Sequence, residues 1–161
     1  MSHERVRRFG VLGQRDQGQA IIGWREWVAL PELGVATVKA KIDTGARSSA
    51  LHAFEIEPFE QDDRPWVRFQ VHPHQRDDQT IVTAIAPLLD RRAVRSSTGH
   101  AQLRPTILTP VRVGDAIWPI ELTLTNRDVM GFRLLLGRQA LRRRFWVDPA
   151  RSYLQSQRRS P

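Results

Sequence analysis

The chain has 161 residues and a formal net charge of +8, with a pI near 11.3, and all but two of its 25 basic residues are arginine. That length suits one domain with a real core. The absence of Cys excludes a disulfide scaffold, a thiol nucleophile and thiolate metal sites, and no apolar run approaches a membrane span.

In chain order, residues 1–19 are polar, without a periodic apolar face, and read as a flexible arm. Residues 20–150 read as one mostly-β domain, and 151–161 as a flexible tail rich in Gln, Ser and Arg. Short strands are expected over Ala20–Trp24 and Glu26–Leu30, followed by a turn at Pro31–Gly34. Val35–Ile42 alternates, with Ala36, Val38, Ala40 and Ile42 on the core side, which sends Asp43 out at the strand's end.

Trp66–His72 alternates again, Pro73–Thr80 is a polar loop, and Ile81–Ile85 is a further strand. Gly114-Asp115 is a hairpin turn between Thr109–Val113 and Ala116–Leu124. A short helix is expected over Gln139–Arg144, and Trp146–Pro149 closes the ordered core.

Lys41-Ile42-Asp43-Thr44-Gly45-Ala46 sets a carboxylate in a tight turn at a strand end. A Thr hydroxyl can lock such a turn, and Gly permits close approach of backbone and substrate. Far downstream, the apolar run Leu134-Leu135-Leu136 stops at Gly137-Arg138. Together KIDTGARSSAL and LLGRQAL resemble a retroviral-type aspartic protease. With IIGWREWVALPELG and VRSSTGHAQLRPTI, the chain resembles more closely the bacterial retropepsin-like, RimB-like family that carries the label ATP-dependent zinc protease and is often encoded beside RimK-type glutamate ligases.

The resemblance implies a closed or partly closed β-barrel of retropepsin type with one short C-terminal helix. It implies Asp43 as the catalytic carboxylate, with Thr44 and Gly45 shaping its turn. Asp-pair proteolysis needs two carboxylates that share one proton, and this chain has one Asp-Thr-Gly. The second Asp43 must then come from a second copy across a two-fold axis.

Retroviral enzymes usually carry an acidic residue where this chain has Arg47, paired with the arginine that is Arg138 here. Two arginines at one cleft need an anion between them, either Asp90, Asp128 or Asp148 of the chain or a substrate carboxylate. Ala46, Arg47, Arg95, Arg104 and Arg138 are the candidate substrate contacts. Ala93–His100 is read either as a flap over the groove or as an ordinary hairpin.

The expected partners are a second copy and a peptide or protein substrate, acidic or polyglutamate-tailed, with no membrane. Expected cofactors are none: no zinc helix motif and no phosphate-cradling loop accompany the family's label. A cytoplasmic location is expected. The leading function is therefore a homodimeric aspartic peptidase. A retropepsin-like module that binds acidic peptides without cutting them is the alternative, and nucleic-acid binding, suggested by charge alone, is disfavoured by the scattered arginines.

Overall fold

The computed structural model describes residues 18–95, 98–127 and 131–156. The expected N-terminal arm lies outside them over residues 1–17. The strands are β1 (Ala20–Gly23), β2 (Arg25–Leu30), β3 (Val35–Ile42), β4 (Ser49–His52), β5 (Phe54–Gln61) and β6 (Arg64–Val71). They continue as β7 (Val82–Arg95), β8 (Ala101–Val113), β9 (Ala116–Thr125), β10 (Leu134–Leu136) and β11 (Phe145–Asp148). A short helix, α1 (Arg138–Leu141), follows β10. No helix among the described residues is long and apolar enough to cross a membrane.

Strand order β2-β3-β10-β4-β9-β8 closes on itself through the pairing of Ala29 with Arg112. This is the expected closed barrel, with β7, β6 and β5 continuing from β8 as an antiparallel extension. Val28, Leu30, Val38, Ala40, Ile42, Leu51, Leu122, Leu124, Leu134 and Leu136 fill its interior. Burying such side chains contributes about 1.5–3 kcal/mol each, and supplies most of the drive to close the sheet.

Alternation in β3 holds from Val38 to Ile42 but breaks before it: Val35 is buried and Ala36 exposed. The register with β2 slips there, Val28 facing Val38 but Leu30 facing Val35. The extra residue on β3 makes a bulge, and one inserted residue flips the faces. The expected Gly114-Asp115 turn joins β8 to β9, with Val113 opposite Ala116 and Gly114 in the left-handed region at φ 57°.

The chain from Arg151, expected as a loose tail, is instead held down as far as Ser156. The cause is Glu26, a carboxylate with 0% exposure. Its oxygens accept the N–H groups of Gly23, Leu154, Gln155 and Ser156 and the hydroxyl of Ser156, at 2.7–3.2 Å. A buried carboxylate is tolerable only when its lone pairs are met in this way. Tyr153 stacks on Trp27, and the carbonyl of Arg151 accepts the N–H of Trp24. Residues 157–161, the rest of the expected tail, lie outside the described residues.

Candidate functional site

Asp43 follows the last residue of β3, where the barrel strand ends. Its N–H donates to the carbonyl of Leu136 at 2.9 Å, which continues the β3–β10 pairing by one residue. Its side chain turns back: Oδ1 accepts the N–H of Gly45 at 2.9 Å. This Asx-type bond fixes the carboxyl plane by local geometry alone. Oδ2 has no hydrogen-bond partner among the described residues. The carboxyl group is half-buried, so one oxygen is held and the other presented. A Cβ at Gly45 would stand 3.1 Å from Oδ1, so even alanine there would crowd the carboxylate.

The downstream element locks this turn from below. The N–H groups of Arg138 and Gln139 donate to the carbonyls of Ala46 and Arg47. Gly137 donates to the Ser49 hydroxyl at 3.1 Å. The approach leaves no room for a side chain, since a Cβ on Gly137 would lie 2.4 Å from the Ser48 carbonyl oxygen. Here glycine is required by contact between two backbones.

Of the residues expected at the site, Asp43, Thr44, Gly45, Ala46, Arg47 and Arg138 come together. Their roles differ from expectation in one respect. Arg138 does not face Arg47 across an anion: its Nη1 donates to the carbonyls of Thr44 and Gly45 at 3.1 and 3.0 Å. One nitrogen of the guanidinium clamps the turn. The residue it would pair with is itself an arginine, so it satisfies backbone acceptors.

Neither described candidate anion lies between the two arginines. Asp90 pairs with Arg92, and Asp148 with Arg151; Asp128 lies outside the described residues. Arg47 is exposed, with no acidic partner among the described residues.

Arg95 and Arg104 stand apart on the long β7–β8 hairpin, where Arg92 faces Arg104 and Arg95 faces Ala101. No hydrogen bond or ion pair joins them to the Asp43 turn among the described residues. Burial, and then the nearby charge of Arg127, push Arg104 below its ordinary value. The hairpin is as expected for either reading of Ala93–His100, but Ser96 and Ser97 lie outside the described residues.

Two apolar residues lie inside the stretches singled out in the sequence, which does not say which face of the barrel they take. Ala50 and Leu135 are cross-strand partners, 7% and 4% exposed. They alternate with Leu51, Leu134 and Leu136 and lie outside the cluster that fills the barrel. Period-two alternation puts them on the outer face of β4 and β10, with Leu135 level with Lys41, two residues before Asp43. The unbroken Leu134–Leu136 run concealed this, because it carries apolar side chains on both faces.

His52 and His72 are engaged in other contacts. His72 stacks on Phe54 with ring centroids 4.4 Å apart and directs Nδ1 to the Thr80 carbonyl. His52 has its Nδ1 3.3 Å from the Arg133 guanidinium, which occupies that nitrogen. Among the described residues no group of three His, Cys, Asp or Glu could hold a metal ion.

Over residues 21–158 the sequence matches the model of the RimB-like family, described as the retropepsin-like aspartic endopeptidase RimB. The chain belongs to this family. It is similar to a probable alpha-L-glutamate ligase of Desulfotalea psychrophila, 45% identical over 136 residues, covering 84% of this chain and 29% of that protein. It is also similar to one of Parasynechococcus marenigrum, 47% identical over 133 residues, covering 83% of this chain and 28% of that protein. The RimB-like chain thus spans less than a third of these relatives. Among solved structures it resembles the Legionella pneumophila protein Lpg0085, of unknown function. That likeness has a TM-score of 0.69 at 31% identity and covers 84% of this chain and 98% of the other.

Proposed function

We propose that this chain is a homodimeric aspartic peptidase in which Asp43 of each copy faces the other across a two-fold axis. The observation that carries the proposal is the Asp43 carboxylate, pinned through one oxygen by Gly45 and open at the other. One such group cannot hydrolyse an amide alone. Two, a few ångströms apart, hold a single proton between them because both cannot ionise cheaply. The ionised Asp43 takes a proton from a bound water as it attacks the peptide carbonyl, and the protonated one donates to the carbonyl oxygen. Collapse of the tetrahedral intermediate then expels the amine, which takes up a proton from the dyad.

Acidic or glutamate-rich peptides are the proposed substrates, supported by the net charge of +8 and by relatives named as probable glutamate ligases. The partner is a second copy, and the proposed compartment is the cytoplasm.

A mixing experiment tests the dyad. Asp43→Asn protein, inactive itself, is titrated into unmodified protein cutting a glutamate-rich peptide. Shared sites predict suppression of activity through mixed dimers. Activity that scales only with the amount of unmodified protein sinks the dyad. Equal cleavage by pure Asp43→Asn sinks the peptidase.

A further inference from the structure

The chain leaves α1 through Arg142, Arg143 and Arg144, all exposed. They line an open trough of about 450 Å³, together with Trp118, Pro119 and Ala140. A second hollow of about 290 Å³ shares Pro119, Gln139, Ala140 and Arg142 with it and reaches Ser49. Ser49 is the residue whose hydroxyl holds Gly137, so one end of the combined trough is a single hydrogen bond from the glycine that packs under the Asp43 turn. The first turn of α1 grips that turn and its exit delivers the arginines. Four helical residues separate the two by about 6 Å, the reach of about two extended peptide residues.

Two observations bear on these arginines. Arg92, Arg133 and Arg151 pair with carboxylates, whereas Arg142, Arg143 and Arg144, like Arg47, have no acidic partner among the described residues, and they stand three in succession. Glu121, which lies on the trough wall, is already held by Arg92. The second observation is backbone strain. Arg143 sits in the left-handed region at φ 65°, at a helix exit where glycine is the usual residue. A Cβ-bearing residue kept there against backbone preference points to a use for its side chain.

We propose that this arginine trough is a binding site for the carboxylates of an acidic peptide segment running away from the Asp43 turn. It rests on the peptidase reading only in calling that segment part of the substrate. Guanidinium forks engage carboxylates in bidentate fashion, and the trough offers three in succession. A nucleic-acid strand fits less well, because bases need an open aromatic face. Trp118 is 4% exposed, its Nε1 donates to the Ala140 carbonyl, and Arg144 lies 5.2 Å from its ring centroid.

The test uses Asp43→Asn protein and a fluorescently labelled glutamate-rich peptide, read by anisotropy at low and at physiological salt. Arg143→Gly relieves the left-handed strain, so it should melt at or above the parent temperature. It should nonetheless bind the peptide about threefold to tenfold more weakly, the range of one or two partly exposed charge contacts. Arg142→Gln combined with Arg144→Gln should do the same, and a glutamine-rich peptide should not bind. Unchanged affinity in folded Arg143→Gly and in the double variant overturns the site. So does single-stranded RNA of equal charge binding as tightly and with the same sensitivity to these variants. Arginine-dependent binding of a peptide that the unmodified protein never cuts supports the trough while refuting the peptidase. Cleavage indifferent to all three arginines does the reverse.

Discussion

The Nη1 of Arg138 lies within 3.1 Å of the carbonyl oxygens of both Thr44 and Gly45, so one guanidinium nitrogen closes a turn formed 93 and 94 residues earlier in the chain. The Asp43 carboxylate is therefore oriented locally by Gly45 and globally by Arg138. Removing Arg138 as Ala leaves two turn carbonyls without a charged donor; both are exposed and water can replace it, so the cost is about 0.5–1.5 kcal/mol. Urea unfolding measures that loss. On the proposed peptidase reading, kcat should fall by about tenfold or more with KM little changed, because displacement of a reacting group costs rate more than binding.

Gly137 admits no substitution. In Gly137→Ala the new Cβ meets the Ser48 carbonyl at 2.4 Å, an approach that backbone cannot absorb cheaply. A loss of roughly 1–3 kcal/mol or more follows from such overpacking, visible as a lower melting temperature. Ser49→Ala, which only leaves the Gly137 N–H unsatisfied, should cost about 1–3 kcal/mol.

Glu26→Gln tests the strap. The amide keeps the shape of the carboxylate but turns one acceptor into a donor that faces N–H groups. Bonds to a charged acceptor are worth about 1.5–3 kcal/mol each, so the variant should lose about that much or more. Hydrogen exchange should show the Leu154, Gln155 and Ser156 amides opening first.

The Arg92–Glu121 pair predicts one feature of the acid limb of stability. The hydrogen bond from Arg92 holds the Glu121 carboxyl below its ordinary 4.5. The stabilisation is thus fully present above pH 4.5 and is lost as pH falls through the lower folded value. Melting temperatures of the unmodified protein and Glu121→Gln should differ slightly at neutral pH and converge in acid. The difference stays small because both side chains are exposed.

How much of this was legible in the sequence depends on the range of each interaction. The Asp43 turn could be read because its main bond spans two residues and its elements are an alternating strand, an Asp and a Gly. The strand Phe54–Gln61 could not, because it lies at the sheet's edge, where Glu and Pro58 are acceptable and burial leaves little trace. Arg138 was found by pattern but its two carbonyl partners were not: nothing local says that a guanidinium will choose them. Residues 151–156 looked like a tail because the group that anchors them, Glu26, lies at the other end of the chain.

That anchoring has a mechanical consequence. The Arg151 carbonyl holds the Trp24 N–H, and the Trp24 carbonyl holds the N–H of Ile42, the residue before Asp43. Tension applied to the polypeptide beyond Ser156 meets Glu26 first, and only a load that tears the strap from that carboxylate is passed along the two-bond relay to the acid. The Asp43 carboxyl is in this way insulated from a pull on that end of the chain, up to the force at which the strap gives way.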